Sequence, residues 1–371
     1  MKLLTIYIFI LIGFGIYSYS LIDPNLTLFN HPYWTQFRNN IVYFGFYRRD
    51  LSGNTFLIFL TLLFALHLYV IKQKTLSLSP IILATCIGSI LFFSYPFLSH
   101  DLFSYIFDAR ILTHYGYNPY ELAPAFFYQD EWLRFMHWTQ RSYPYGPTFL
   151  PITLVPSYLA LGKFVLNFFF FKFLFVISFV LSVFLLQKID RKSALIFATH
   201  PFILIEGVMN VHNDMISVAL AIIGIYFIWN KRNYWGRFFF IISAGIKYLT
   251  LPTILLSKNN KVLNTISLIG TLGLLVYLYF FFAKQPWYFL VLFIYLPWYK
   301  SWIQHLWPFF LGLLLSYYPF IRYGDWTKEL LIMRDVTVIV FFVLNIAYLF
   351  AQKEIRQSIW RLRDIKKAKL Q

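Results

Sequence analysis

At least six windows of this chain run for about twenty residues with almost no charge, the length an α-helix needs to cross a bilayer core. The first is "LLTIYIFILIGFGIYSYSLI", directly after Lys2. Across 371 residues the chain is 59% hydrophobic and 13% charged, with mean hydropathy +0.63. A soluble domain cannot hide that much apolar surface. The expected fold class is therefore an all-α polytopic membrane protein, a single domain over 1–371. The first window needs no cleavage to make sense, since no small-residue cleavage pattern follows it.

Charge placement sets the expected topology. The net charge of +17 would suggest nucleic acid in a soluble protein. Here basic loops at the cytoplasmic ends of spans account for it, and no nucleic-acid partner is expected. Expected spans are 3–21, 53–71, 77–98, 164–186, 194–209, 214–229, 262–283, 287–299, 303–320 and 335–350. Two partial elements join them: a Pro-rich re-entrant segment at 147–162 and a hairpin broken near Lys247 and Pro252 within 238–257. The total is about 10–12 transmembrane elements. Residues 99–146 become a large external loop. The tail from Lys353 to Gln371 holds seven Lys or Arg and two acids, which places 351–371 in the cytoplasm. Cys86 is the single cysteine, so no disulfide framework exists within the chain.

The acids are unevenly spread. Of fifteen Asp and Glu, five (Asp101, Asp108, Glu121, Asp130 and Glu131) fall within one 31-residue stretch of the external loop. If a helix continues from Asp101, then Tyr105 and Asp108 share its face at i+4 and i+7. A carboxylate at such a helix start serves as a general base, coordinates a divalent cation, or simply ends the helix in water. His212, Asn213 and Asp214 form a second group on the same side; alone, such a cluster is more often a helix N-cap. Glu206 lies shortly before it in an apolar run, where an ionisable side chain is a functional candidate by default. Lys247 lies at membrane depth and demands an anion, either a bound phosphate or an internal partner such as Glu206 or Asp214. The Pro-Trp-Tyr repeats at 286–288 and 297–299 read as an interfacial aromatic belt. No P-loop, GxGxxG, HExxH or GxSxG pattern occurs. The rival readings are a transporter or flippase of a lipid-linked or small polar substrate, which would gather its polar groups at the midplane, and a scaffold without catalysis.

Four segments in order, "SHDLFSYIFDARILTHYGYNPY", "YPYGPTFLP", "HPFILIEGVMNVHNDMISVAL" and "SAGIKYLTLP", resemble the GT-C fold integral membrane glycosyltransferases. The nearest likeness is to bacterial polyprenol-phosphate-mannose-dependent alpha-mannosyltransferases, with a more distant one to the glycosylphosphatidylinositol mannosyltransferase I catalytic subunit. The likeness covers roughly residues 77–300. It implies a GT-C-like bundle that moves a hexose, mannose in the commonest case, from a polyprenyl-phosphate-linked donor to an external glycan or lipid acceptor with inversion. It maps the family's catalytic acid onto Asp101, the "HND" turn onto His212, Asn213 and Asp214, and the membrane lysine onto Lys247. His100, Tyr105, Asp108, Arg110, Tyr145 and Glu206 complete the expected substrate-binding set. A divalent cation (Mg or Mn) held by Asp101 and Asp214 is the cofactor this reading allows. Two spans precede Asp101, where the minimal superfamily pattern has one. The expected location is the cell membrane, multi-pass, with the site on the external face.

Overall fold

The computed structural model describes residues 2–73, 79–282 and 284–368, with side chains described to residue 352. The described residues form helices joined by turns and irregular segments, without a strand. Five helices are long and apolar enough to cross a membrane: Leu4–Leu21, Arg49–Lys72, Phe164–Ile189, Lys261–Phe281 and Lys328–Gln352. A sixth crossing is broken, with Arg191–Thr199 and Ile203–Met209 bent by 70°. The protein is thus an all-α multi-pass membrane protein. The chain divides into two compact units, Met1–Lys300 and Ser301–Gln371.

Several expected spans are shorter or more broken than the apolar runs suggested. The run at 77–98 is helical only over Pro80–Phe92. Beyond it Ser94 turns its hydroxyl back onto the Leu91 carbonyl at 2.6 Å, and Pro96 disfavours helical backbone at the residue before it. The run at 287–299 is a 3₁₀ segment, Pro286–Tyr295, followed by a kinked helix at Leu296–Ile303. The segment between the first two expected spans contains the helix Pro32–Val42. Both expected partial elements are irregular: 147–162 holds the short helix Phe149–Leu159 with Pro156 inside it, and the hairpin breaks between Asn233–Ala244 and the 3₁₀ turn Tyr248–Leu255.

Phe164–Ile189 is the axis of the first unit. Phe168, Phe171, Phe175 and Phe179 are fully buried along one face, while Phe173, Ile177, Leu181 and Phe184 stay exposed along another. A helix apolar all round, with only one face covered by protein, suits lipid on the other. Lipid tails are as apolar as these side chains, so helix association rests on close packing and polar contacts. Gly88 supplies the close packing: a Cβ there would meet Val176 at 3.0 Å. Lys172 supplies the polar contact. It is fully buried, and its ammonium donates to Ser94 Oγ at 3.1 Å and to the carbonyls of Val208 and Met209 at 3.0 and 3.1 Å. That lysine was not anticipated, although a cation in the midst of "FFFFKFLFV" is the signal that would have found it.

The expected external loop opens with the helix Asp101–Thr113 and continues in short 3₁₀ turns. It has its own small core of Phe107, Ile111, Phe127 and Met136. In the second unit, Trp307–Leu315 packs along Lys328–Ala368, and Asn345 Oδ1 accepts from the Phe309 N–H at 3.1 Å. The basic tail beyond residue 352, expected in the cytoplasm, lies outside the described side chains.

Candidate active site

Asp101 is the first residue of its helix, where the unpaired N–H groups and the helix dipole favour an anion. Its Oδ2 stands 3.1 Å from His212 Nδ1 and accepts from the Tyr105 hydroxyl at 3.3 Å. Tyr105 Oη in turn accepts from the Asn213 N–H at 3.1 Å. The i, i+4 spacing in the sequence and the "HND" turn therefore meet at one carboxylate. Burial pushes the Asp101 pKa up, but the His212 hydrogen bond and charge, with Lys247 further off, outweigh it and hold the carboxyl below its usual range.

His212 carries a second acid on its other nitrogen. Glu206 Oε2 lies 3.2 Å from Nε2, and both side chains are fully buried. Burial alone would strip the imidazole of its proton; the two carboxylates overcome this and raise its pKa to about 9. Glu206 reaches this position from a π-helical segment, Ile203–Met209. Such wide turns are rare and concentrate at functional sites. Next to His212, Val211 adopts φ 56°, a strained conformation for a β-branched residue and one that also concentrates at functional sites.

Lys247 forms the other half of the group. It follows the break after Ala244, and its ammonium lies 3.1 Å from Asp214 Oδ2. Asp214 is also the first residue of the next helix, Asp214–Trp229, as the helix-start reading expected. Gly146 lets the 143–148 segment approach closely, since a Cβ there would run into the Gly245 carbonyl. The Thr148 N–H donates to that carbonyl at 3.1 Å. This seats Tyr145 with its ring edge-on to Tyr105, centroids 5.1 Å apart.

Two residues read as an aromatic belt belong to this group. Trp287 stacks on the His212 imidazole at 3.8 Å with 12° between planes, and the Lys247 ammonium sits 5.0 Å over the Tyr288 ring. Nothing in a Pro-Trp-Tyr run distinguishes a ring on lipid from a ring on histidine.

Three expected site residues lie apart. Arg110 pairs with Asp130 at 2.6 Å and covers the Trp132 ring at 3.9 Å, while Asp130 caps the Glu131–Phe135 turn by accepting from the Trp132 N–H. Arg110 thus organises the loop. His100 stacks on His137 at 3.7 Å. Asp108 faces a separate crevice beside Arg141. Nor do Asp101 and Asp214 make a fitting metal centre: each carboxylate already faces a basic side chain, and among the described residues no three His, Cys, Asp or Glu converge.

The group can therefore hold an ionised, partly exposed carboxylate in a fixed orientation beside a lysine. No curated protein and no solved structure matches the chain. A family model does, that of the alpha-(1->6)-mannopyranosyltransferase N-terminal domain, over residues 49–257. The match holds Asp101, Glu206, His212, Asp214 and Lys247 and spans more than half of the chain, and the protein accordingly belongs to this mannosyltransferase family.

Proposed function

We propose that the protein transfers mannose from a polyprenyl-phosphate-linked donor to a glycan acceptor at the external face of the membrane, with inversion, using Asp101 as general base. The observation that carries this reading is the Asp101 carboxylate: 19% exposed, at the outer end of a fully buried Glu206–His212 pair. The transporter reading gives way to the transferase family.

The acceptor hydroxyl binds against Asp101 and gives up its proton to the carboxylate as its oxygen bonds to the anomeric carbon. The bond from that carbon to the phosphate oxygen breaks, and the lipid phosphate leaves with the electron pair. His212 and Tyr105 occupy one carboxylate oxygen and so orient the other. A positioned base of this kind contributes roughly 10²–10⁴-fold. Lys247, with 18% of its side chain exposed, offers a preorganised cation to the leaving phosphate. Glu206 is fully buried and Asp214 is tied to Lys247. Neither stands as a second nucleophile, which favours single displacement and inversion. The apolar faces left exposed on the spans suit a donor that arrives through the bilayer.

The test is transfer by purified protein in liposomes from radiolabelled polyprenyl-phosphate-mannose to alpha-(1→6)-linked manno-oligosaccharides, alongside the Asp101→Asn variant. Wild type should label the acceptor, and the variant should lose at least about 10²-fold in kcat at unchanged thermal stability. Full turnover by Asp101→Asn removes it from catalysis. Transfer from a water-soluble nucleotide-mannose instead removes the lipid-linked donor.

A further inference from the structure

The end of the Asp101–Thr113 helix far from Asp101 borders a cavity of about 240 Å³. Arg110, Thr113 and His114 line it from that end, Ser157 and Tyr158 from the Phe149–Leu159 helix, and Asn167 from the first turns of Phe164–Ile189. Thr113 stands about 18 Å along the helix from Asp101, so the cavity is separate from the candidate active site.

The polar groups here have bonding capacity to spare. Asn167 is 2% exposed. Its Nδ2 donates to the Lys163 carbonyl at 3.3 Å, while its Oδ1 has no hydrogen-bond partner among the described residues. A buried amide oxygen is normally paired, and one that borders a cavity calls for a donor from outside. The Thr113 and Ser157 hydroxyls bond to each other at 2.8 Å, which leaves one hydroxyl hydrogen to give. Arg110 meets Asp130 through Nε, one of several N–H donors on the guanidinium. His114 is exposed at the rim. The Phe164–Ile189 helix starts without a side-chain cap, and its unpaired N–H groups favour an anion at that end. The cavity therefore joins an anion-favouring wall to one buried acceptor. Its mouth is apolar: Tyr158 and Leu161 line it and are 58% and 80% exposed, with Val155 and Leu159 exposed close by in the chain. Phe164–Ile189 is long and apolar enough to cross a bilayer, so its end lies at the depth of the lipid headgroups.

We infer that this cavity binds the headgroup of a glycerophospholipid from the surrounding bilayer. The phosphodiester lies against Arg110, His114 and the start of the Phe164–Ile189 helix. A hydroxyl or ammonium of the headgroup donates to Asn167 Oδ1, and the acyl chains run out over Tyr158 and Leu161. A headgroup without an N–H or O–H leaves Asn167 unpaired and binds more weakly. The bound lipid ties the loop helix and the Phe149–Leu159 helix to the head of the span, and its binding does not depend on the transfer reaction.

The test is equilibrium binding of radiolabelled phosphatidylethanolamine and phosphatidylcholine to the delipidated full-length protein in detergent. The two headgroups carry the same net charge, but only ethanolamine has N–H donors. Wild type should bind phosphatidylethanolamine roughly tenfold more tightly, the effect of one buried acceptor left unpaired; this comparison needs no variant. Asn167→Leu should lose the preference and, without lipid, melt no lower than wild type, because the orphaned oxygen is gone. His114→Ala should weaken both lipids alike and keep the preference. Equal binding of the two lipids by wild type, or a preference that survives Asn167→Leu, overturns the site. Displacement of the lipid by an equal concentration of soluble phosphoethanolamine assigns the cavity to a free phosphate ester and overturns the lipid occupant.

Discussion

His212 carries a carboxylate on each ring nitrogen, and that explains why a charged histidine persists in a buried turn. If Asp101 is the base proposed above, His212 aims it, and its loss should act on kcat. His212→Gln should lower kcat by roughly 10–100-fold, the usual effect of removing an orienting partner, with donor KM changed far less. Initial rates across a donor series check this, and a wild-type kcat would mean that Asp101 needs no such partner. Asp108 makes a different prediction. Burial pushes its pKa up to about 8, with Arg141 pulling the other way. Between about pH 4 and pH 8 the folded chain keeps a proton that the unfolded chain has released. That contribution to stability is complete below about 4 and is lost as pH climbs through 8. The loss approaches roughly 1 kcal/mol per pH unit within the window. Asn stands in for the protonated carboxyl, so wild type and Asp108→Asn should melt closest together at pH 5 and separate as the pH rises to 8, wild type falling below the variant; a difference that does not change with pH would show that Asp108 is ionised throughout.

At the scale of elements, the site is an intersection of four irregular pieces: a helix start at Asp101, a π-helical segment at Ile203–Met209, a broken hairpin at Lys247 and a 3₁₀ run at Pro286–Tyr295. Irregular backbone at membrane depth persists only where protein or a cavity satisfies it. Lys172 does so for the carbonyls of Val208 and Met209. Lys172→Met leaves these carbonyls and Ser94 without their donor, at about 1–3 kcal/mol for each buried group left unpaired. The expected result is a clear drop in the thermal midpoint with activity falling alongside it, since Glu206 sits on the same segment. A melting temperature equal to wild type would show that water replaces the ammonium. Gly146→Ala forces the 143–148 segment off Gly245, so donor KM should rise several-fold as Lys247 shifts; a KM equal to wild type would uncouple the two segments.

At the scale of the whole molecule, the basic tail and the acid-rich loop should lie on opposite sides of the membrane. With Cys86→Ser as background, Gln129→Cys should react with a membrane-impermeant maleimide in intact cells, and Gln371→Cys only after permeabilisation. The reverse pattern would place the site on the cytoplasmic face. The family match ends at residue 257, yet Trp287 and Tyr288 from beyond it pack on His212 and Lys247. The first unit, to Lys300, therefore completes the group with residues that the family's N-terminal domain does not include.

By itself the sequence determined the fold class, because long uncharged runs have no stable home but a bilayer. It also singled out Asp101, Glu206, the His212–Asp214 turn and Lys247, because charge is costly in apolar surroundings and is kept there for a reason. Tertiary structure decided which of these meet. Arg110 and Asp108 lie within three turns of Asp101, yet Arg110 points off another side of the helix and pairs with Asp130, while Asp108 shares the Asp101 face but stands about 10 Å further along it, beside Arg141. Trp287 and Lys172 were hidden in the apolar background. An aromatic ring or a lone cation takes its role from the partner brought against it, and those partners lie 75 and 36 residues away in the chain, at His212 and Val208.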